Sequence, residues 1–303
     1  MPLFLTLSAY ETQSNLQATA AAPEGFIIEG LVENPIYITY AELKTFPLLS
    51  ETTILQCVGS GQGGSKVNYN WTGVPLFYLL GLAKVIPGAY REVVFNATDG
   101  FSSSILLDDA MNPTTIMALY ANGTDLEQIK GLGSGYRVAL PCRWGYKWVK
   151  WIKQIIVVDY DYKGFYEEAG YPDDAFRPNC TMPSTNPPFQ SFNVTNYGQK
   201  YTVQTLTNSS LESFTFEDTR LVFRFSGLEG TSGYLYASFP KELLGEPYQV
   251  YIDGTPISYY QTDTHQNAYL YLTFTNSNHR IAIEGFPTVE YGSIGCTPRP
   301  LLK

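Results

Sequence analysis

Apolar and polar positions alternate along this chain in two different rhythms, and the change falls near Asn186. Before it, Phe26 to Ile38 alternates around Glu33-Asn34-Pro35, which predicts strand, turn and strand. Thr39 with Glu42 three residues later forms a capping box and predicts a short helix ending near Phe46-Pro47. Thr52 to Val58 predicts another strand, and the Gly-rich run 59–65 after it gives up too much backbone entropy to hold regular structure. Leu76 to Val85 has helical periodicity, stopped by Pro87-Gly88. Arg91 to Ala97 and the stretch through Leu107 read as strands joined by a turn at Asp99-Gly100, with further strands at Tyr136 to Leu140 and Ile152 to Tyr160. Short helices and strands interleave without long β-α alternation, which predicts an α+β domain.

Beyond residue 186 the period is two. Tyr201 to Thr205, Ser213 to Phe216, Leu221 to Phe225, Tyr234 to Phe239, Tyr248 to Ile252, Tyr269 to Phe274 and Arg280 to Glu284 alternate between turn signals such as Asp253-Gly254. Seven short strands predict an all-β immunoglobulin-like sandwich. Tyr171 to Pro188 holds five prolines and reads as a stiff linker. The expected division is a tether over 1–24, the α+β domain over 25–175, a Pro-rich linker over 176–188, the sandwich over 189–292 and a tail over 293–303.

Composition narrows the partners. With 303 residues, 44% hydrophobic and 16% charged, the chain suits two globular domains. A net charge of -9 argues against nucleic acid, which needs clustered cations. No apolar run approaches the roughly 18 residues of a membrane span, so no transmembrane segment is expected. Six Asn-x-Ser/Thr sequons, at Asn70, Asn96, Asn122, Asn179, Asn193 and Asn208, lean towards an extracytoplasmic or cell-surface protein.

The cysteines are Cys57, Cys142, Cys180 and Cys296, with no C-x-x-C pair, and the histidines are His265 and His279 alone, so a zinc site is not expected. Cys180 and Cys296 flank the predicted sandwich. A disulfide between them is one reading and two unrelated thiols the other, with Cys142 free. Cys57 follows a strand and precedes the Gly-rich loop, which suits an accessible thiolate, either nucleophile or metal ligand. The absence of histidine from the first domain excludes a Cys-His pair there, and a soft thiolate suits a soft or high-valent metal. The plain alternative is a buried structural cysteine.

Arg137, Arg143, Lys147 and Lys150 fall within fifteen residues of an otherwise acidic chain, interleaved with Trp144, Trp148 and Trp151. Arg137 and Lys147 could bind a phosphate, Gly145 could admit an anion close to the backbone, and the tryptophans could wall a flat heterocycle. The plain alternative is a solvated basic edge beside core tryptophans. Asp99 and Asn122, each before a glycine, are ligand contacts on one reading and turn residues on the favoured one.

Together these pieces resemble the catalytic domain of the sulfite oxidase and bacterial sulfoxide reductase superfamily. In that family's order stand Phe26-x-x-x-Gly30-x-Val32-x-x-Pro35, the capped helix with Glu42-Leu43, Leu55-Gln56-Cys57-Val58-Gly59 and Trp71-Thr72-Gly73-Val74-Pro75-Leu76. Then follow Asp99-Gly100, Leu119-Tyr120-Ala121-Asn122-Gly123, Arg137-x-x-x-Pro141-x-x-x-Gly145-x-Lys147-x-x-Lys150-Trp151, and a closing Gly164-Phe165-Tyr166-Glu167 with Gly170-Tyr171. The resemblance implies a sulfite-oxidase-like molybdopterin-binding fold and a mononuclear molybdenum on a single pyranopterin, with Cys57 as metal ligand and catalytic residue. Arg137 and Lys147 fall where the family holds the pterin phosphate, with backbone near Trp144, Gly145 and Tyr146 around it; Asp99 and Asn122 are further candidate cofactor contacts. Arg143 is the candidate catalytic cation for a small oxyanion, and Phe101 stands where the sulfite-oxidising branch has its tyrosine.

The implied activity is oxygen-atom transfer on a small substrate, closer to the sulfoxide-reductase branch. It comes with no haem, a separate electron-transfer partner and dimer contacts through the sandwich. Two other readings stand beside it: an exported or cell-surface binding protein that keeps the fold without the cofactor, and a redox-active Cys57 thiol without metal.

Overall fold

A computed structural model of the protein describes residues 24–58, 65–86, 92–129, 131–132, 135–217 and 219–286. The first half opens with the hairpin β1 (Gly25–Gly30) and β2 (Ile36–Thr39), then α1 (Tyr40–Leu43). The capping box closes as its spacing predicts: the Glu42 amide donates to Thr39 Oγ1 at 3.1 Å, and the Thr39 amide donates to the Glu42 carboxylate at 2.8 Å. There follow β3 (Leu49–Gln56), β4 (Lys66–Pro75), α2 (Leu76–Ala83), β5 (Glu92–Ala97), β6 (Ser102–Leu106) and α3 (Leu107–Met111). Next come β7 (Ile116–Ala121), β8 (Thr124–Asp125), β9 (Arg137–Ala139), β10 (Ile152–Val158), α4 (Phe165–Glu168) and β11 (Thr185–Asn186).

These strands make two sheets. One runs β2-β1-β10-β5-β6, with β1 and β10 parallel and Ile28 opposite Ile155. The other runs β11-β3-β4-β7-β8, and β9 pairs with the same edge of β7 as β8 does. Both β4 and β7 escape a periodicity reading. Strand β7 is apolar at nearly every position, and β4 carries Gly73 and Pro75, which read as breakers. Gly73 is required by packing: a Cβ there would lie 2.1 Å from the Met117 carbonyl oxygen of β7.

The second half contains β12 (Gln190–Asn196), β13 (Gln199–Thr207), β14 (Ser210–Glu217), β15 (Arg220–Ser226), β16 (Ser232–Pro240), β17 (Gly245–Ile252), β18 (Thr255–Pro256), β19 (Tyr260–Asp263), β20 (Asn267–Thr275) and β21 (His279–Phe286). All seven expected strands are present. They form two antiparallel sheets, β12-β13-β16-β20-β19 and β14-β15-β21-β17-β18. Val203, Leu235 and Leu270 of one share a core with Phe223, Ile281 and Ile283 of the other, which makes a two-sheet sandwich.

The change of rhythm near Asn186 is not a break in packing. Strand β16 is buried along most of its length, because its two faces meet different partners. Leu235 and Ala237 point into the sandwich, while Tyr234 and Tyr236 join the core of the first half. Phe77 of α2 lies 4.0 Å from Tyr236 between ring centroids, Tyr78 lies 4.8 Å from Tyr271, and the Tyr236 hydroxyl donates to the Met111 carbonyl. Fully burying an aromatic ring contributes roughly 2–3 kcal/mol, so these contacts hold the halves together as a core does.

The Pro-rich stretch is fastened to the first half at several points. Strand β11 pairs with β3, the Arg177 amide donates to the Cys142 carbonyl, and Trp144 donates to the Ala175 carbonyl. These bonds lay residues 142–144 beside 175–177 and bring Cys142 and Cys180 to a Cα separation of 5.3 Å, where they form a disulfide. The expected Cys180–Cys296 bridge and the free Cys142 are thereby corrected; Cys296, the 1–24 tether save its last residue, and the 293–303 tail lie outside the described residues. Among the described residues no helix is long and apolar enough to cross a membrane.

Candidate functional site

Strand β3 delivers Cys57 to the end of the second sheet. Its amide donates to the Ser65 carbonyl at 3.0 Å, and its thiol is exposed and free of any disulfide. The neighbouring Gln56 carbonyl faces Gly145, where a Cβ would stand 2.9 Å away. The 137–151 segment therefore touches the strand end that carries Cys57, and a glycine is what permits the approach.

From that contact the chain makes a single 3-10 turn, Gly145–Lys147, after Trp144, which is half-buried. The turn divides its side chains. Tyr146 points away into a tyrosine cluster, stacked on Tyr166 at 5.1 Å, with its hydroxyl donating to the Pro172 carbonyl. Lys147 is 1% exposed, and its ammonium meets Ser104 O at 2.8 Å, Asp173 Oδ1 at 2.9 Å and Glu167 Oε1 at 2.6 Å. Three donors meet three acceptors, two of them carboxylates, so no Lys147 proton remains for a phosphate.

Arg137 presents the opposite case. It is 6% exposed; Nη1 donates to the Leu132 carbonyl at 3.0 Å and Nη2 to the Trp148 carbonyl at 2.7 Å, while Nε is buried without a partner. Its guanidinium lies 5.9 Å from the rings of both Trp71 and Trp148. Burial pushes its pKa down to about 10, which still leaves it a cation at neutral pH. Lys150, which the sequence analysis did not single out as a ligand, bridges Arg137 backbone to backbone. Burial and then the Arg137 charge hold the Lys150 amine below its usual range. Among the described residues neither cation makes an ion pair. Two adjacent cations, Arg137 buried with a spare donor and Lys150 half-buried over the Trp151 ring with the Asp99 charge near it but not ion-paired, are arranged to receive an anion.

Arg143 turns elsewhere. Its Nη2 donates to both Asp109 oxygens, at 2.8 and 3.0 Å, and its guanidinium lies 5.6 Å from the Phe176 ring. It lines a cleft of about 280 Å3 with Asp109, Lys147 and Asp173, which does not include Cys57. Asp99 accepts from the Phe101 amide at 3.0 Å, a local turn before Gly100 at φ +85°. Asn122 is likewise a turn residue at φ 50°, its side chain accepting from the Asn70 amide.

The site thus has a free thiol at one end and an unpaired cation pair at the other. Strands β3 and β9 are three steps apart in the sheet, roughly 14 Å at the usual strand spacing, and residues 145–150 run between them. Trp71 spans the interval: its Nε1 donates to the Thr53 carbonyl of β3, and its ring faces both Arg137 and Trp148. The orphaned Arg137 Nε, the unneutralised charge and the accessible soft thiolate donor fit an elongated anionic group bound to a metal at its far end.

Residues 21–166 match the family model described as an oxidoreductase molybdopterin binding domain. The chain is 28% identical over 144 residues to the uncharacterized oxidoreductase YuiH of Bacillus subtilis, covering 48% of this chain and 70% of that protein. It is 34% identical over 149 residues to the protein-methionine-sulfoxide reductase catalytic subunit MsrP of Burkholderia mallei, covering 44% and 43%. It is 27% identical over 175 residues to sulfite oxidase of Arabidopsis thaliana, covering 48% and 44%. The chain therefore spans less than half the length of the last two. The sulfane dehydrogenase SoxCD structure from Paracoccus pantotrophus aligns at a TM-score of 0.44 and 21% identity, over 86% of this chain and 66% of that one.

Proposed function

We propose, from the match of residues 21–166 to the oxidoreductase molybdopterin binding domain family, that this chain is a molybdenum-cofactor-dependent oxidoreductase that moves an oxygen atom to or from a small substrate. Cys57 is the thiolate ligand of a mononuclear molybdenum carried by a single pyranopterin. Arg137 and Lys150 would grip the terminal phosphate, with backbone groups of the Gly145–Lys147 turn beside it. The bound cofactor supplies two-electron oxygen-atom-transfer chemistry; the chain's own residues orient it and exclude water from its anionic end. The observation that carries this reading is Arg137, a buried guanidinium with an unsatisfied Nε and no carboxylate beside it. Lys147, held by Glu167 and Asp173, positions the turn instead.

A sulfoxide-reductase-like preference is supported by the identity to MsrP and by Phe101, which has no hydroxyl to offer a sulfite-like substrate. Electrons then come from a separate partner protein, with no haem in this chain. The Cys142–Cys180 disulfide supports an oxidising, extracytoplasmic compartment. A homodimer through the sandwich would use the β14-β15-β21-β17-β18 sheet, because Tyr234, Tyr236, Tyr269 and Tyr271 on the outer face of the other sheet pack into the core of the first half.

Metal and pterin analysis of protein made in a molybdenum-replete, cofactor-competent host tests the reading. One molybdenum and one pterin per chain are expected, falling several-fold in Arg137→Gln/Lys150→Gln. Unchanged content in that variant, or absence of both from the wild type, overturns it.

A further inference from the structure

The Cys142–Cys180 disulfide has a cation at one of its sulfurs. Arg177, 8% exposed, donates from Nη2 to Cys180 Sγ at 3.0 Å and from Nη1 to Gln56 Oε1 at 3.1 Å. Its Nε is buried with no partner. Among the described residues Arg177 makes no ion pair. Cys180 and Arg177 line a cleft of about 460 Å3 with Thr53, Gln56, Trp144 and Thr181, and Arg177 is the only charged side chain in its wall. Arg143, which follows the other cysteine, is neutralised by Asp109. A disulfide sulfur is a weak acceptor, so the oxidised bridge leaves the Arg177 guanidinium without a counter-charge. A thiolate at Cys180 would supply one.

The two sulfurs differ in access. Cys142 is 2% exposed, whereas Cys180 is half-buried between the exposed Asn179 and Thr181. The backbone that the bridge fastens is also strained: Cys142, Ala175 and Asn179 hold φ values of 61°, 48° and 58°. A residue with a Cβ enters that left-handed region at a cost, and stays there only where its surroundings over-determine it. Here the surroundings are the bridge and two backbone bonds, from the Arg177 amide to the Cys142 carbonyl and from the Trp144 amide to the Ala175 carbonyl. Of these ties the covalent one is the one a reductant removes.

We propose that the Cys142–Cys180 bridge is a reversible redox switch, operated by a dithiol, that releases residues 175–181 from residues 142–144. A thiolate of the reductant attacks Cys180 Sγ, the S–S bond breaks, and Cys142 leaves as a thiolate that takes up a proton. The reductant's second thiol then displaces Cys180 and closes its own disulfide, so the dithiol gives up two electrons. Cys180 departs as a thiolate paired with Arg177, and one proton goes to solvent. Arg177 favours the reduced form because only there does it gain an ion pair. The guanidinium that braces Gln56, the residue before Cys57, is thereby coupled to the state of the bridge. The switch goes beyond the oxidoreductase reading and does not depend on molybdenum.

The test equilibrates the full chain with mixtures of reduced and oxidised dithiothreitol, alkylates it, and follows the Cys142 and Cys180 peptides by mass spectrometry. Arg177→Gln should need a ratio of reduced to oxidised dithiothreitol about tenfold higher than the wild type for half-reduction, the worth of a charged hydrogen bond. That is about 30 mV for a two-electron couple. Arg177→Lys, which keeps the charge and serves if the Gln variant misfolds, should lie closer to the wild type. Because reduction releases a proton, the wild-type ratio should fall several-fold between about pH 6 and about pH 7. In Arg177→Gln, where both cysteines take up protons, it should stay constant over that range. Hydrogen exchange at the Trp144 and Arg177 amides should quicken several-fold on reduction. Equal ratios in the wild type and both variants overturn the proposal, as does a wild-type ratio that ignores pH. Exchange that is unchanged by reduction overturns it too.

Discussion

Gly145 packs so closely on the carbonyl oxygen of Gln56 that a methyl group in place of its hydrogen would stand 2.9 Å from that oxygen and 3.2 Å from Leu55 Cδ1. The contact joins the strand that delivers the thiol to the segment that leads to the cation pair. Gly145→Ala must push the two apart. A loss of about 1–3 kcal/mol is expected from such overpacking, read as a lower Tm, together with reduced molybdenum content. An alanine variant that keeps both values would show that the contact does not position the site.

Lys147 and Lys150 should fail in different ways. Removing the ammonium in Lys147→Met strands Glu167 in a buried setting, and breaking a buried pair on one side costs about 3–5 kcal/mol. Lys150→Gln removes a charge that repels Arg137, so its stability should hold while cofactor content drops. Chemical denaturation with parallel pterin assay separates the two. Equal destabilisation by both variants would contradict the division of roles.

How much of this was legible in the sequence depends on how local each signal is. The α1 capping box, the β1–β2 and β5–β6 hairpins and the seven alternating sandwich strands come from residues within a few positions of one another, and each is found where expected. Strand β7 is buried on both faces and has no period to read, and in β4 a glycine needed for close sheet packing looks like a stop. The site splits the same way. Cys57 after its strand and Arg137 in a basic cluster were visible. Which of Lys147 and Lys150 stays free was not, because it is decided by Glu167 and Asp173, about twenty residues downstream. Likewise Arg143 looked available until Asp109 met it, and Arg177 looked like linker until the disulfide drew it in.

That disulfide gives a third prediction. Cys142 and Cys180 are 38 positions apart, and loop-entropy reasoning puts the stabilisation from such a bridge at about 4 kcal/mol. Cys180→Ser, or the wild type under a strong dithiol reductant, should melt several degrees lower. Peptide mapping without reduction should recover Cys142 joined to Cys180; recovery of Cys180 joined to Cys296 would contradict the arrangement.

Glu51 carries a pH dependence. It sits on β3 opposite Trp71 and Thr185, 1% exposed, and neither carboxylate oxygen has a partner. Burial raises its pKa to about 9. Because the folded value exceeds the unfolded one, its contribution to stability is complete below about pH 4.5 and is lost as pH rises towards 9. Glu51→Gln, a close mimic of the protonated acid, should match the wild type near pH 4. At pH 8 it should exceed the wild type by about 1 kcal/mol or more, a few degrees in Tm. Parallel melting curves across that range would show that Glu51 is not buried as an acid.

The central claim is that the Cys57 sulfur binds the metal whose organic tail Arg137 and Lys150 hold. Molybdenum K-edge absorption on the purified wild type and Cys57→Ser tests it most directly, because it counts sulfur neighbours of the metal. The account predicts one sulfur fewer around molybdenum in Cys57→Ser than in the wild type. The same number of sulfurs in both proteins would contradict it.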